Sequence, residues 1–115
     1  MSPERRKYSR IATDQVISFA QIDHEARPAL GRNVSTGGIR FETIDCEINL
    51  GETLRVTFNI EDETVVAIGT VAWATDVGSM TVDIGIEFTE IDPRAVRLLA
   101  EAVAESDQVL GDNEN

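Results

Sequence analysis

The chain has 115 residues, 42% of them hydrophobic, and a net charge of −11, which is the size of one domain with a single modest core. No apolar run approaches the roughly 20 residues of a membrane helix, and the opening MSPERRKYSR has no apolar segment behind it, so neither a membrane span nor a secretory signal is predicted. One cysteine, Cys46, and one histidine, His24, leave no intrachain disulfide and no thiolate- or imidazole-rich metal site, so the expected setting is cytoplasmic and cofactor-free.

The charge is unevenly spread. Residues 1–40 carry seven basic side chains against four acidic ones, and residues 41–115 carry three against seventeen. Affinity for a nucleic-acid polymer depends on neutralising many phosphates, which an acidic chain does poorly. A small anion needs only a few well-placed guanidiniums, so the local excess near the N-terminus points to a small anionic ligand.

In chain order, the basic opening comes first, with Arg5, Arg6, Lys7 and Arg10. Strand candidates follow at Val16–Ile22, more weakly at Arg27–Arg32, and at Gly38–Phe41. Thr53–Ile60 is the clearest strand, since Leu54, Val56, Phe58 and Ile60 alternate with polar neighbours. Thr64–Ala74 is apolar on both faces, as a central or barrel strand would be. Thr81–Phe88 returns to alternation, with Val82, Ile84, Ile86 and Phe88 predicted inward and Thr81, Asp83, Gly85 and Glu87 outward. Asp92 and Pro93 then supply a cap and a first helical residue. Val96, Leu99, Ala100 and Val103 give one apolar face, predicting a helix over 93–105. Residues 106–115 are predicted to be a frayed acidic tail. Strands at regular spacing before one helix predict a mainly β domain over 1–105, a small antiparallel barrel or sandwich.

Two constellations could carry chemistry. Arg6 and Arg10 share a face on a helical turn and stand roughly 13 Å apart if extended. A guanidinium fork pairs with phosphate oxygens or with the O6/N7 edge of guanine, and its flat face stacks on a purine. The plain alternative is a solvated basic arm. In Asn33-Val34-Ser35-Thr36-Gly37-Gly38, an extended backbone would bring Asn33 and Ser35 to one side. Gly37 and Gly38 permit positive φ or a close approach. The plain alternative is a polar hairpin turn. Trp73 ends a strand, where it could touch a ligand base but more simply belongs to the core. Cys46 is read as an inert thiol and His24 as a solvated loop residue. Glu61-Asp62-Glu63 reads as a hairpin tip, since the three carboxylates lack spaced partners for a metal. No nucleophile–base pair or phosphate loop with a lysine is present, so the residues make no case for an enzyme.

Taken together, Arg-x-x-x-Arg followed by Asn-x-Ser-x-x-Gly, strands and a terminal helix resembles the PilZ domain family. The matching positions are Arg6 and Arg10, then Asn33, Ser35 and Gly38, with Asn33 standing where Asp is more usual. The likeness continues through Gly38-Ile39-Arg40-Phe41, Gly69-Thr70-Val71-Ala72-Trp73 and Gly85-Ile86-Glu87-Phe88, over roughly residues 4–104. The resemblance implies a six-stranded antiparallel β-barrel with a C-terminal helix that binds the bacterial second messenger cyclic di-GMP. It implies that residues 1–15 form an arm, mobile without ligand, that folds over it. Arg6 and Arg10 would engage guanine edges and phosphates, Asn33 and Ser35 would hydrogen-bond a guanine or phosphate, and Gly38 would keep the turn tight. Arg5, just before the arginine motif, leans the reading toward a stacked pair of ligand molecules. Gly37 and Trp73 complete the candidate site. An effector protein would read the closed form, and a dimer on ligand binding fits the same scheme. The competing readings are a ligand-free interaction module and a barrel for single-stranded nucleic acid. The latter is disfavoured by the net charge and by sparse aromatics.

Overall fold

The alternation in Thr53–Ile60 is the pattern on which the molecule is built: Leu54, Val56, Phe58 and Ile60 are buried, and none of the residues between them is. The computed structural model describes the backbone of residues 11–114 and the side chains of residues 11–105. Its strands are β1 (Ile11–Ala12), β2 (Val16–Gln21), β3 (Arg27–Val34), β4 (Gly38–Ile44), β5 (Thr53–Ile60), β6 (Glu63–Asp76) and β7 (Thr81–Ile91), followed by helix α1 (Pro93–Glu114). The hydrogen-bonded order β3-β2-β5-β6-β7-β4 returns to β3 through a β3–β4 pairing, closing a six-stranded antiparallel barrel with β1 outside the ring. Closure removes exposed strand edges. It also explains why β6 is apolar on both faces: Val65, Ala67 and Val71 point into the core, while Val66 and Ile68 lie outside.

The core is contributed by every barrel strand. Phe19 and Phe41 meet with ring centroids 5.0 Å apart, and Phe58 stacks on Phe88 at 6.0 Å. Around them Leu54, Val56, Ile39, Ile84 and Ile86 are almost fully buried, each worth about 1.5–3 kcal/mol relative to an exposed position.

Three expectations change. Residues 11–15, assigned to the arm from sequence, lie against the outside of the barrel and are hydrogen-bonded to it. β1 pairs with Val34 and Asn33 on the β3 edge that β2 uses further along. The Gln15 amide then bonds both the N–H and the C=O of Asn59, acting as a substitute for strand backbone. In α1, Asp92 caps as expected, its Oδ1 accepting the Arg94 N–H at 2.9 Å. The buried seam, however, is Ala95, Leu99 and Val103, while Ala100 is exposed. Alanines on both sides of Leu99 left the centre of the stripe undefined. The helix also continues to Glu114, where a tail was predicted from residue 106; no proline interrupts the segment, and its acidic residues remain compatible with helix.

The β5–β6 hairpin turns through Glu61 and Asp62, with Ile60 opposite Glu63. Glu61 sits at φ 55°, a left-handed conformation that costs a side-chain-bearing residue about 1–2 kcal/mol. Glu61→Gly is therefore expected to raise stability by about 0.5–1 kcal/mol after the glycine's unfolded-state entropy is subtracted. A higher urea midpoint at unchanged slope checks this, and a lower midpoint would contradict it.

Candidate functional site

Two β-bulges create the outer face that holds the sequence-predicted residues. In β3, Gly31 lies opposite Phe41 and Asn33 opposite Arg40, so Arg32 is the extra residue. In β6, Val71 lies opposite Ile86 and Trp73 opposite Gly85, so Ala72 is the extra residue. A bulge inserts one residue and reverses the facing of the residues after it. Asn33 and Trp73 are thereby turned outward while Val34 and Ala74 resume the inward set. Because Arg40 pairs with Gly85, one cross-strand row runs Asn33, Arg40, Gly85, Trp73.

Trp73 is 39% exposed and thus not a core residue, contrary to the simpler sequence reading. Continued alternation from Val71 would have buried it, and the bulge at Ala72 prevents that. Its indole packs against Gly85, where an added Cβ would come within 2.3 Å of the ring. Gly85 is therefore the seat of the tryptophan.

Arg40 is half-exposed. Its Nε donates to both Asp83 oxygens, at 2.9 and 3.1 Å, with the carboxylate only 10% exposed. The hydrogen bond it donates to this carboxylate raises the guanidinium pKa further, so Arg40 is a permanent cation. Asp83 was predicted outward, and it does point away from the core, but it is buried beneath Arg40. Arg32 reaches Glu42 at 3.2 Å and Asp14 at 3.5 Å. The described part of this face thus sets two guanidiniums against three carboxylates.

The turn after β3 is built differently from the sequence expectation. Ser35 is fully buried. Its hydroxyl accepts the Gly37 and Gly38 N–H groups at 3.1 and 3.2 Å, and its own N–H donates to the Gly38 carbonyl at 2.9 Å. Ser35 and Asn33 therefore do not converge: Asn33 faces outward and Ser35 holds the turn from within. Among the described residues the positive-φ glycine is Gly51, not Gly37 or Gly38. Gly38 is required by close approach instead, since a Cβ there would lie 2.1 Å from the Ile86 carbonyl oxygen.

Arg5, Arg6 and Arg10 lie outside the described residues. The described chain nevertheless starts beside the turn, because Ile11 pairs with Val34 and Ala12 with Asn33. The arginine motif is thus joined covalently to a segment that touches the second motif.

Next to the turn, Thr36, Gly37, Val66, Ile68 and Phe88 line an open groove of about 660 Å³ that also carries Glu87, Glu90 and Asp92. Those carboxylates make it a poor receptacle for an anion. Burial pushes the Cys46 thiol pKa up, which favours the protonated form. The described residues include no group of three or more side chains suited to a metal ion, and no helix among them is long and apolar enough to cross a membrane.

The sequence reading missed the Arg40–Asp83 pair. Both residues occupy polar positions of alternating strands, but only the β4–β7 register brings them together.

Comparison with known proteins gives a consistent picture. Residues 4–105 match the model of the PilZ domain family. No curated protein matches the chain. Among solved structures, the Bacillus subtilis inhibitor of motility MotI/DgrA superposes with a TM-score of 0.75 at 23% identity, covering 90% of this chain and 52% of that one. Escherichia coli YcgR in complex with c-di-GMP gives 0.70 at 16% identity, covering 96% and 49%. The isolated PilZ domain of YcgR with c-di-GMP gives 0.67 at 14% identity, covering 96% and 97%. The chain thus spans about half the length of the first of these and nearly all of the last. At these identities the likeness establishes the fold.

Proposed function

The chain belongs to the PilZ domain family, and from that premise we propose that it is a receptor for cyclic di-GMP which closes its arginine arm on the ligand and presents the closed form to an effector protein. The observation that carries this reading is the β1–β3 pairing, which tethers the segment after Arg10 to Asn33 and Val34. Structures of YcgR, of Borreliella burgdorferi PlzA and of MrkH in complex with c-di-GMP share the fold and support the ligand assignment.

The electrostatics give the arm a defined task. The described face, with Arg32 and Arg40 against Asp14, Glu42 and Asp83, has no surplus positive charge for a dianion. Arg5, Arg6 and Arg10 would supply it, pairing with phosphates and guanine edges in the bidentate manner open to guanidinium. Asn33 would meet a guanine from the barrel side, with Gly37 at the turn. Trp73, packed against Gly85 and partly exposed, would offer a base an aromatic contact in the same row. Ser35 acts through the turn it holds. Arg5 favours a stacked ligand pair. Closure would be a disorder-to-order step, with neutralised charge allowing the arm to settle on the face. The reading is of a binding protein without catalytic chemistry, working in the cytoplasm where the messenger is found.

A thermal shift measurement tests the assignment. Ligand at a hundredfold excess over its Kd stabilises the folded state by about 2.7 kcal/mol, so cyclic di-GMP is expected to raise the melting temperature by roughly 10 °C or more. No shift at millimolar ligand would leave the ligand-free interaction module as the better account.

A further inference from the structure

Resting on the receptor reading above, we propose that Arg40 is a specificity-determining residue, a barrel-borne guanidinium that reads the O6/N7 edge of a guanine alongside Asn33. Three observations lead to it. Arg40 and Asn33 are register partners on neighbouring strands, so their Cα atoms lie about 5 Å apart. Arg40 also lies directly opposite Gly85, across which Trp73 sits, so it stands between the amide and the indole. Its two hydrogen bonds to Asp83 both leave through Nε, to a carboxylate beneath it, while the side chain remains 38% exposed.

The choice of guanine over phosphate follows from charge. Asp83 neutralises Arg40 locally, so the pair offers a phosphate little net attraction. What it retains is a fixed fork of donors, and a fork held by a buried carboxylate suits the two acceptors of a guanine edge. Adenine presents an amine donor in place of O6 and would be refused by the same fork. Arg40 is held on the barrel by its two hydrogen bonds to Asp83.

The test titrates cyclic di-GMP and cyclic di-AMP, the latter by competition where it binds weakly, into wild type, Arg40→Lys and Arg40→Ala at two salt concentrations. Arg40→Lys is the principal variant, because lysine keeps a cation over Asp83 and should preserve the melting temperature while losing the fork. Both variants are expected to lose tenfold or more in affinity for cyclic di-GMP and to discriminate less between the two ligands, and Arg40→Lys, which keeps the charge, to retain the wild-type salt dependence. Binding by Arg40→Lys within twofold of wild type would overturn the proposal. So would an equal loss for both ligands with a weaker salt dependence, which would indicate a phosphate contact. If wild type binds neither dinucleotide, the receptor reading itself fails, an outcome distinct from wild type binding and the variants matching it.

Discussion

Alanine at both Arg6 and Arg10 is expected to weaken cyclic di-GMP binding by a hundredfold or more while leaving the barrel's melting temperature unchanged. Each arginine contact to a phosphate or guanine is a hydrogen bond to or from a charged group, worth about 1.5–3 kcal/mol. Two such losses amount to about 3–6 kcal/mol, or at least two decades in Kd. The loss should be steep because the rest of the face cannot compensate: its described guanidiniums are paired with Asp14, Glu42 and Asp83. Stability should be spared because the core found among the described residues is apolar and drawn from the barrel strands and α1. Equilibrium dialysis with labelled ligand measures the first quantity and thermal unfolding the second. A double variant that binds within threefold of wild type would remove the arm from the site.

Gly38→Ala is expected to be the most damaging small substitution in the turn, at about 3 kcal/mol, near the upper end of what overpacking commonly costs. The added methyl would meet the Ile86 carbonyl oxygen at 2.1 Å, and a backbone oxygen in a barrel strand cannot rotate away. The relief available is to open the Gly38–Glu87 pairing that starts the β4–β7 ladder. That would also disturb the Ser35 N–H bond to the Gly38 carbonyl and the Phe88 N–H bond to the Gly37 carbonyl. For a domain of this size the loss corresponds to a drop of roughly 10–20 °C in melting temperature. Ser35→Ala should follow the same direction more mildly, since it strands two N–H groups without forcing the strands apart. A Gly38→Ala protein melting within 2 °C of the parent would contradict the close approach.

The contrast between these positions shows what the sequence made legible. Period-two alternation in Thr53–Ile60 and Thr81–Phe88 marked the inward residues, because a half-buried strand needs that pattern and little else gives it. The Asp92-Pro93 pair marked the start of α1 for an equally local reason. The bulges at Arg32 and Ala72 left no comparable trace, since an inserted backbone residue has no characteristic side chain here. Yet they turn Asn33 and Trp73 outward, and the expectation of a core tryptophan failed on that single residue. Ser35 shows a second kind of limit. Its motif position was readable, but whether the hydroxyl faces a ligand or its own turn depends on the Gly37 and Gly38 N–H groups folding back over it. The Arg40–Asp83 pair lies 43 residues apart in sequence and becomes visible only through strand register.

The central claim is that the arm and the Asn33–Trp73 row form one cyclic di-GMP site. Isothermal calorimetry of cyclic di-GMP into the wild-type chain tests it most directly. The account predicts a saturable heat at tens of micromolar ligand, with two ligand molecules per chain if Arg5 favours the stacked pair. A flat isotherm at that concentration, on protein shown to be folded, would contradict it.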